Sequence, residues 1–320
     1  MSRSSPDNAP GTAPRAGRAR TLRFAAFAVL LGIAGYAVTQ YVTSSSGPPR
    51  CVIRADGEDA EDYEIEPQQA SNAATITAVA SQRKLPERAV TIALATAMQE
   101  SALRNIEHGD RDSVGLFQQR PSQGWGTEAQ ILDPVYATGK FYDHLVEIPG
   151  YSRLPLTVAA QRVQRSGFPQ AYAKHEANAS LLTAALTGRR GAAFTCTTGQ
   201  EGQPVKAGDP AKVRERLERE FGSDVLASGD GDGTALGTGG GSGRRSKPTA
   251  EVLLPAQPQQ RGWELAHWSV AHASELGIAE VSYRNRVWSS ARSEEGWRTT
   301  EDGGSGNTVS IRLSTGNEER

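Results

Sequence analysis

The chain has 320 residues, enough for two modest domains once tails and linkers are set aside. Its 35 basic and 36 acidic side chains nearly cancel, leaving a formal charge of −1 that is unevenly spread along the chain. No basic patch interleaved with aromatics occurs in the globular stretches, which argues against nucleic acid as a partner.

Residues 1–23 are rich in Ser, Pro, Ala and Arg and read as a disordered tail. The run from Phe24 to Val42 (FAAFAVLLGIAGYAVTQYV) carries no charge. A bilayer core takes about 20 apolar residues in a helix, so the run is predicted to span a membrane. Arg15, Arg18, Arg20 and Arg23 precede it, and Asp56, Glu58, Asp59, Glu61, Asp62, Glu64 and Glu66 follow it. The positive-inside rule then puts the N-terminus in the cytoplasm and the rest outside. A cleaved signal peptide, giving a secreted protein, is the competing reading. Its apolar core would be shorter, and no small-x-small cleavage site closes this run.

Residues 43–66 are a short tether followed by an acidic, extended segment. The two cysteines, Cys51 and Cys196, both lie on the outer side, where such a pair most simply forms a disulfide. From Pro67 to Leu186 the Ala-rich amphipathic runs predict helices at Gln68–Leu85, Pro86–Leu103, Thr127–Leu145, Leu156–Arg165 and Pro169–Leu186. Residues 197–249 read as a spacer and linker. Asp209–Val225 opens on an Asp cap and a first-turn Pro, and its charges suggest a solvated helix. A Gly/Ser run follows from Ala227 to Thr249. Residues 250–320 read as a small α+β domain, with a helix near Trp263–Leu276 and strands at Ile278–Tyr283, Arg286–Ser290 and Val309–Leu313. Trp263, Trp268, Trp288 and Trp297 suit its core.

The informative stretch is AMQESALRNIEHGDRDSVGLFQQRPSQGWGT, from Ala97 to Thr127. Ala89, Ala93, Thr96 and Ala97 share a helical face with Glu100, so that carboxyl ends a small, mostly apolar stripe. Burial and the helix C-terminus would both raise its pKa, as a general acid requires. In the loop beyond, Gly115 lets backbone approach a ligand, and Gln118 offers an amide suited to an N-acetyl group or sugar hydroxyl. His267 and His272 are five apart on a helix, off the one-face spacing of metal ligands. No metal or cofactor is expected.

Glu100-Ser101, then Asn105, then Ser113-x-Gly115-Leu116-Phe117-Gln118 resembles the goose-type lysozyme and soluble lytic transglycosylase superfamily over roughly residues 68–190. The resemblance implies a mainly α, lysozyme-like domain over residues 67–196 that acts on peptidoglycan glycan strands. Glu100 would protonate the glycosidic oxygen between N-acetylmuramic acid and N-acetylglucosamine. Ser101, Gly115 and Gln118 would position substrate or the acid. Two departures stand out. Phe117 replaces the usual Met, and Ala160-Gln161-Arg162-Val163-Gln164 stands where relatives carry A-Y-N-x-G, with Tyr172 a candidate for the missing aromatic. Asp110 is a candidate second carboxylate, as glycosidases use. Lytic transglycosylases use one Glu as acid and then base, so hydrolysis and transglycosylation both stay open.

The last 70 or so residues resemble zinc peptidases of the D-Ala-D-Ala carboxypeptidase type, but Thr308-Val309-Ser310-Ile311-Arg312 stands where the ligand strand would carry histidines. Without imidazole or carboxylate ligands no catalytic zinc is held. The unit is therefore expected to be non-catalytic. A protein that binds glycan without cutting it is the alternative for the whole chain.

Overall fold

A computed structural model describes residues 29–36, 47–57, 60–165, 169–198, 206–226, 250–301 and 306–316. The tail 1–23 and the Gly-rich run 227–249 lie outside the described residues. So does most of the predicted span, of which residues 29–36 are helical (α1) with exposed Val29, Leu30, Leu31 and Ile33. Among the described residues no helix is long and apolar enough to cross a membrane.

The rest is helical with two antiparallel sheets among the described residues. A small sheet places β1 (Cys51–Ile53) between β2 (Tyr63–Ile65) and β3 (Phe194–Cys196). Its register sets Cys51 opposite Cys196, and the two form a disulfide. This sheet fastens both ends of the helical region together.

Helix α2 (Pro67–Gln82) opens on Pro67 just past β2, and the N-cap Glu66 N–H donates to Gln69 Oε1 at 2.8 Å. Helix α3 (Glu87–Ser101) follows, stopped by Ala102 in the left-handed conformation at φ 52°. Small residues let these two pack closely. Ala73, Ala78 and Ala80 on α2 and Ala89, Ala93 and Ala97 on α3 are fully buried.

The predicted helix Thr127–Leu145 is instead two, α4 (Glu128–Ile131) and α5 (Pro134–Val146). Asp133 precedes a proline, which excludes it from helical geometry, and its carboxylate caps the Val135 N–H at 3.0 Å. Helix α6 (Leu156–Gln164) is close to expectation. Pro169–Leu186 divides into 3-10 turns over Pro169–His175 and helix α7 (Glu176–Leu186).

Helix α8 (Pro210–Phe221) is not the solvated spacer its charges suggested. Val213, Leu217 and Phe221, four apart, form a buried stripe. Glu220 is fully buried on the same helix. It accepts hydrogen bonds from Thr75 Oγ1 of α2 at 2.9 Å and Trp268 Nε1 at 2.7 Å, and pairs with Arg216. One carboxylate thus joins three helices. Glu220→Ala would leave two buried donors without their acceptor and Arg216 with Glu275 alone, and breaking a buried pair typically costs about 3–5 kcal/mol. We expect its melting temperature to fall by roughly 10 °C in a thermal scan.

The larger sheet has the order β4-β8-β5-β6-β7: β4 (Glu251–Pro255), β5 (Ile278–Tyr283), β6 (Arg286–Ser289), β7 (Arg298–Thr299) and β8 (Thr308–Leu313). Helices α9 (Gln259–Ala271) and α10 (Ala273–Leu276) precede β5. Helix α9 packs on β5, but also on α2, α7 and β3 of the helical region. The tryptophans are therefore more than the core of a separate unit. Trp297 Nε1 donates to the Phe194 carbonyl at 2.8 Å and Trp288 Nε1 to that of Cys196 at 3.1 Å, both on β3. Gly188 sits at φ +73° under α9, where a Cβ would fall 1.9 Å from the Gln260 carbonyl oxygen. His267 Nδ1 donates to the Ala185 carbonyl at 2.7 Å, and burial pushes its pKa down to about 4, so the ring is neutral.

Candidate active site

Glu100 stands on the last turn of α3, half-buried. The 3-10 turns Pro169–His175 pack against α3 and α6 and carry the fully buried Tyr172. The Tyr172 hydroxyl donates to Glu100 Oε1 at 2.6 Å. So short a bond from a buried phenol fixes the carboxylate's rotamer. Beside it, Gln99 Oε1 and His175 Nε2 lie 3.2 Å apart, tying the same turn to the same helix. Burial, with Lys174 adding to it, lowers the pKa of His175.

Ser101 is buried and its hydroxyl donates to the Leu116 carbonyl at 2.8 Å. It positions the loop rather than facing a ligand directly. The loop is closed by a bridge between Val114 and Gln119, with N–H···O distances of 3.0 and 3.1 Å. Gly115 holds φ +79°, and a Cβ there would sit 2.7 Å from the Ile131 carbonyl oxygen, so glycine is required for the close approach of the loop to α4. Its N–H donates to the Ile106 carbonyl at 2.7 Å, and Asn105 Nδ2 donates to that of Leu132 at 2.6 Å. Phe117 is buried and stacks on Phe141 at 4.6 Å between centroids.

Gln118 lies over Gly109, where a Cβ would collide with its side-chain oxygen, and its Nε2 donates to the Gly115 carbonyl at 3.3 Å. The amide is thus engaged within the loop. Gln119 is the buried one of the pair and donates to the Ala137 carbonyl at 3.0 Å.

The two loop acids are used differently. Asp112 accepts from Arg120 Nε at 2.7 Å and from the Ser122 N–H at 2.8 Å. Arg120 first, then Ser122, holds its carboxyl far below the usual range. Asp110 is 94 % exposed in its side chain and sits 4.0 Å from Arg111.

The sequence brought Glu100, Ser101, Gly115 and Tyr172 into view, and they share one neighbourhood through the bonds above. Gln164 was missed as a site residue. Its Nε2 donates to the Phe117 carbonyl at 2.7 Å, so α6 grips the loop one residue before Gln118. The signal was its place in the departure from A-Y-N-x-G.

A family model described as "VldE, C-terminal domain" matches residues 233–310, a stretch without Glu100 or its loop. No curated protein matches this chain.

Proposed function

We propose that this chain cleaves peptidoglycan glycan strands at the β-1,4 bond between N-acetylmuramic acid and N-acetylglucosamine, with Glu100 as acid and then base. The observation that carries the reading is the 2.6 Å hydrogen bond from buried Tyr172 to Glu100, beside a loop pinned by Ser101 and Gln164. A carboxyl held this way is oriented to hand a proton to a bound oxygen.

Asp112 is committed to Arg120, and Asp110 lies in solvent. This favours the route that needs one carboxyl. Glu100 protonates the leaving N-acetylglucosamine oxygen as the C1–O bond breaks. The muramic 6-hydroxyl then bonds to C1 and returns its proton to Glu100, giving a 1,6-anhydro end. Gln118 would release Gly115 to meet a sugar. Digestion of purified peptidoglycan by the full chain, weighed by mass spectrometry, should yield anhydro-ended fragments. Reducing ends would mean hydrolysis instead.

Tyr172→Phe removes the hydroxyl that donates to Glu100. Hydrogen bonds to charged groups contribute about 1.5–3 kcal/mol, so kcat should fall ~10–100-fold with KM little changed in single-substrate kinetics.

The apolar run 24–42 would anchor the chain in a bacterial membrane with the residues from 43 onward outside; within that run Val29, Leu30, Leu31 and Ile33 are exposed. The C-terminal part serves as a non-catalytic support. On β8, Ser310 pairs with Glu251 and Arg312 with Glu280, an ordinary sheet surface.

A further inference from the structure

Gln164, which grips the Phe117 carbonyl, also lines a groove of about 360 Å³ with Trp125, His144, Glu147, Arg162 and Arg165. One side is an aromatic wall, with Trp125 packed edge-on against His144 at 4.4 Å. Arg162 lies on α6, and Arg165 follows at its C-terminal cap. Arg83, Arg88 and Arg120 are all paired with carboxylates. Arg162 and Arg165 make no ion pair among the described residues, although a carboxylate, that of Glu147, lines the same groove. Glu147 is turned to His144 at 3.9 Å.

Two unpaired guanidinium groups beside an aromatic wall make a receptor for carboxylates on a ligand with an apolar or sugar face. The groove shares Gln164 with the catalytic loop, so its occupant is tied to whatever Glu100 acts on. N-acetylmuramic acid carries the peptide stem on its O3 substituent, on the very sugar whose bond Glu100 attacks. The geometry points to this groove as a subsite for the free carboxylates of that stem, an inference that rests on the glycan-strand reading above. The substrate class narrows to strands that still bear their peptides.

Calorimetry on the full chain tests it with a disaccharide–tetrapeptide bearing free carboxylates and a twin whose carboxyls are amidated. Amidation should weaken binding at least tenfold. The double variant Arg162→Gln, Arg165→Gln should bind the free-carboxylate probe no better than the amidated one, whereas Arg162→Lys, Arg165→Lys should recover part of the difference. Equal affinity for the two probes, absence of binding, or an unaltered double Gln variant would overturn the subsite. Those results leave the cleavage reading standing as long as wild type releases Glu100-dependent fragments from whole peptidoglycan. Loss of that release defeats the cleavage reading by a separate measurement.

Discussion

Glu100→Gln should reduce fragment release from purified peptidoglycan by at least about a hundredfold, the scale on which a positioned general acid contributes. The amide keeps the size and shape of the carboxyl and can still accept from Tyr172, so position and packing persist while the transferable proton is lost. Glu100 is half-buried at a helix end and makes no ion pair among the described residues. The melting temperature should therefore stay within a degree or two of wild type, a small surface effect. Mass spectrometry of the digest and a thermal scan of the same preparation separate the two quantities. Retained cleavage with an intact fold would sink Glu100 as the acid, and with it the proposed chemistry.

Cys51→Ser combined with Cys196→Ser should lower stability by about 3–5 kcal/mol, read as a lower denaturant midpoint with a steeper slope, because the unbridged chain unfolds to a less compact state. The bridge closes a sequence separation of 145 residues, and long loops gain most in the chain-entropy account. The local structure points the same way. Strands β1 and β3 are three residues each, too short to hold their register without help. Strand β3 also accepts the indole bonds of Trp288 and Trp297, so loosening it frees two buried donors. A loss under about 1 kcal/mol would mean that the strands and tryptophans fasten the sheet alone.

How much of this was legible follows from the range of the interactions. Strands β5, β6 and β8 were readable to within a residue because their β-branched and aromatic runs are a local signal, joined in β8 by alternation of inward and outward side chains. Helices α2 and α3 showed in their alanines. The break at Asp133-Pro134 was readable and overlooked, since the rule for a residue before proline needs no structure. Helix α8 misled because charge was weighed above spacing. Val213, Leu217 and Phe221 already marked a buried stripe, but no periodicity announces that Glu220 is buried too. Its partners Thr75 and Trp268 lie far away in sequence. The three-residue strands of the small sheet were invisible for the same reason.

At the candidate site, Glu100 and its loop were legible as a short, ordered pattern. Tyr172 was legible only as a stand-in for an absent aromatic, and its hydroxyl now sits on the acid. Asp110 was singled out in sequence by the resemblance alone. Exposure, which sequence does not carry, is what distinguishes it.

The seam along α9 bears on how this chain can be divided. By composition the Gly-rich run 227–249 is the natural place to cut it into two modules. In space, α9 is seated on α2 and α7, two indoles are bonded to β3, and Glu220 of α8 holds Trp268 of α9. Severing the backbone in that run would make two polypeptides but not two bodies. A fragment ending before it would expose a face built to be covered. The portion bearing Glu100 is thus finished only when α9 and the two indoles beyond it have been made.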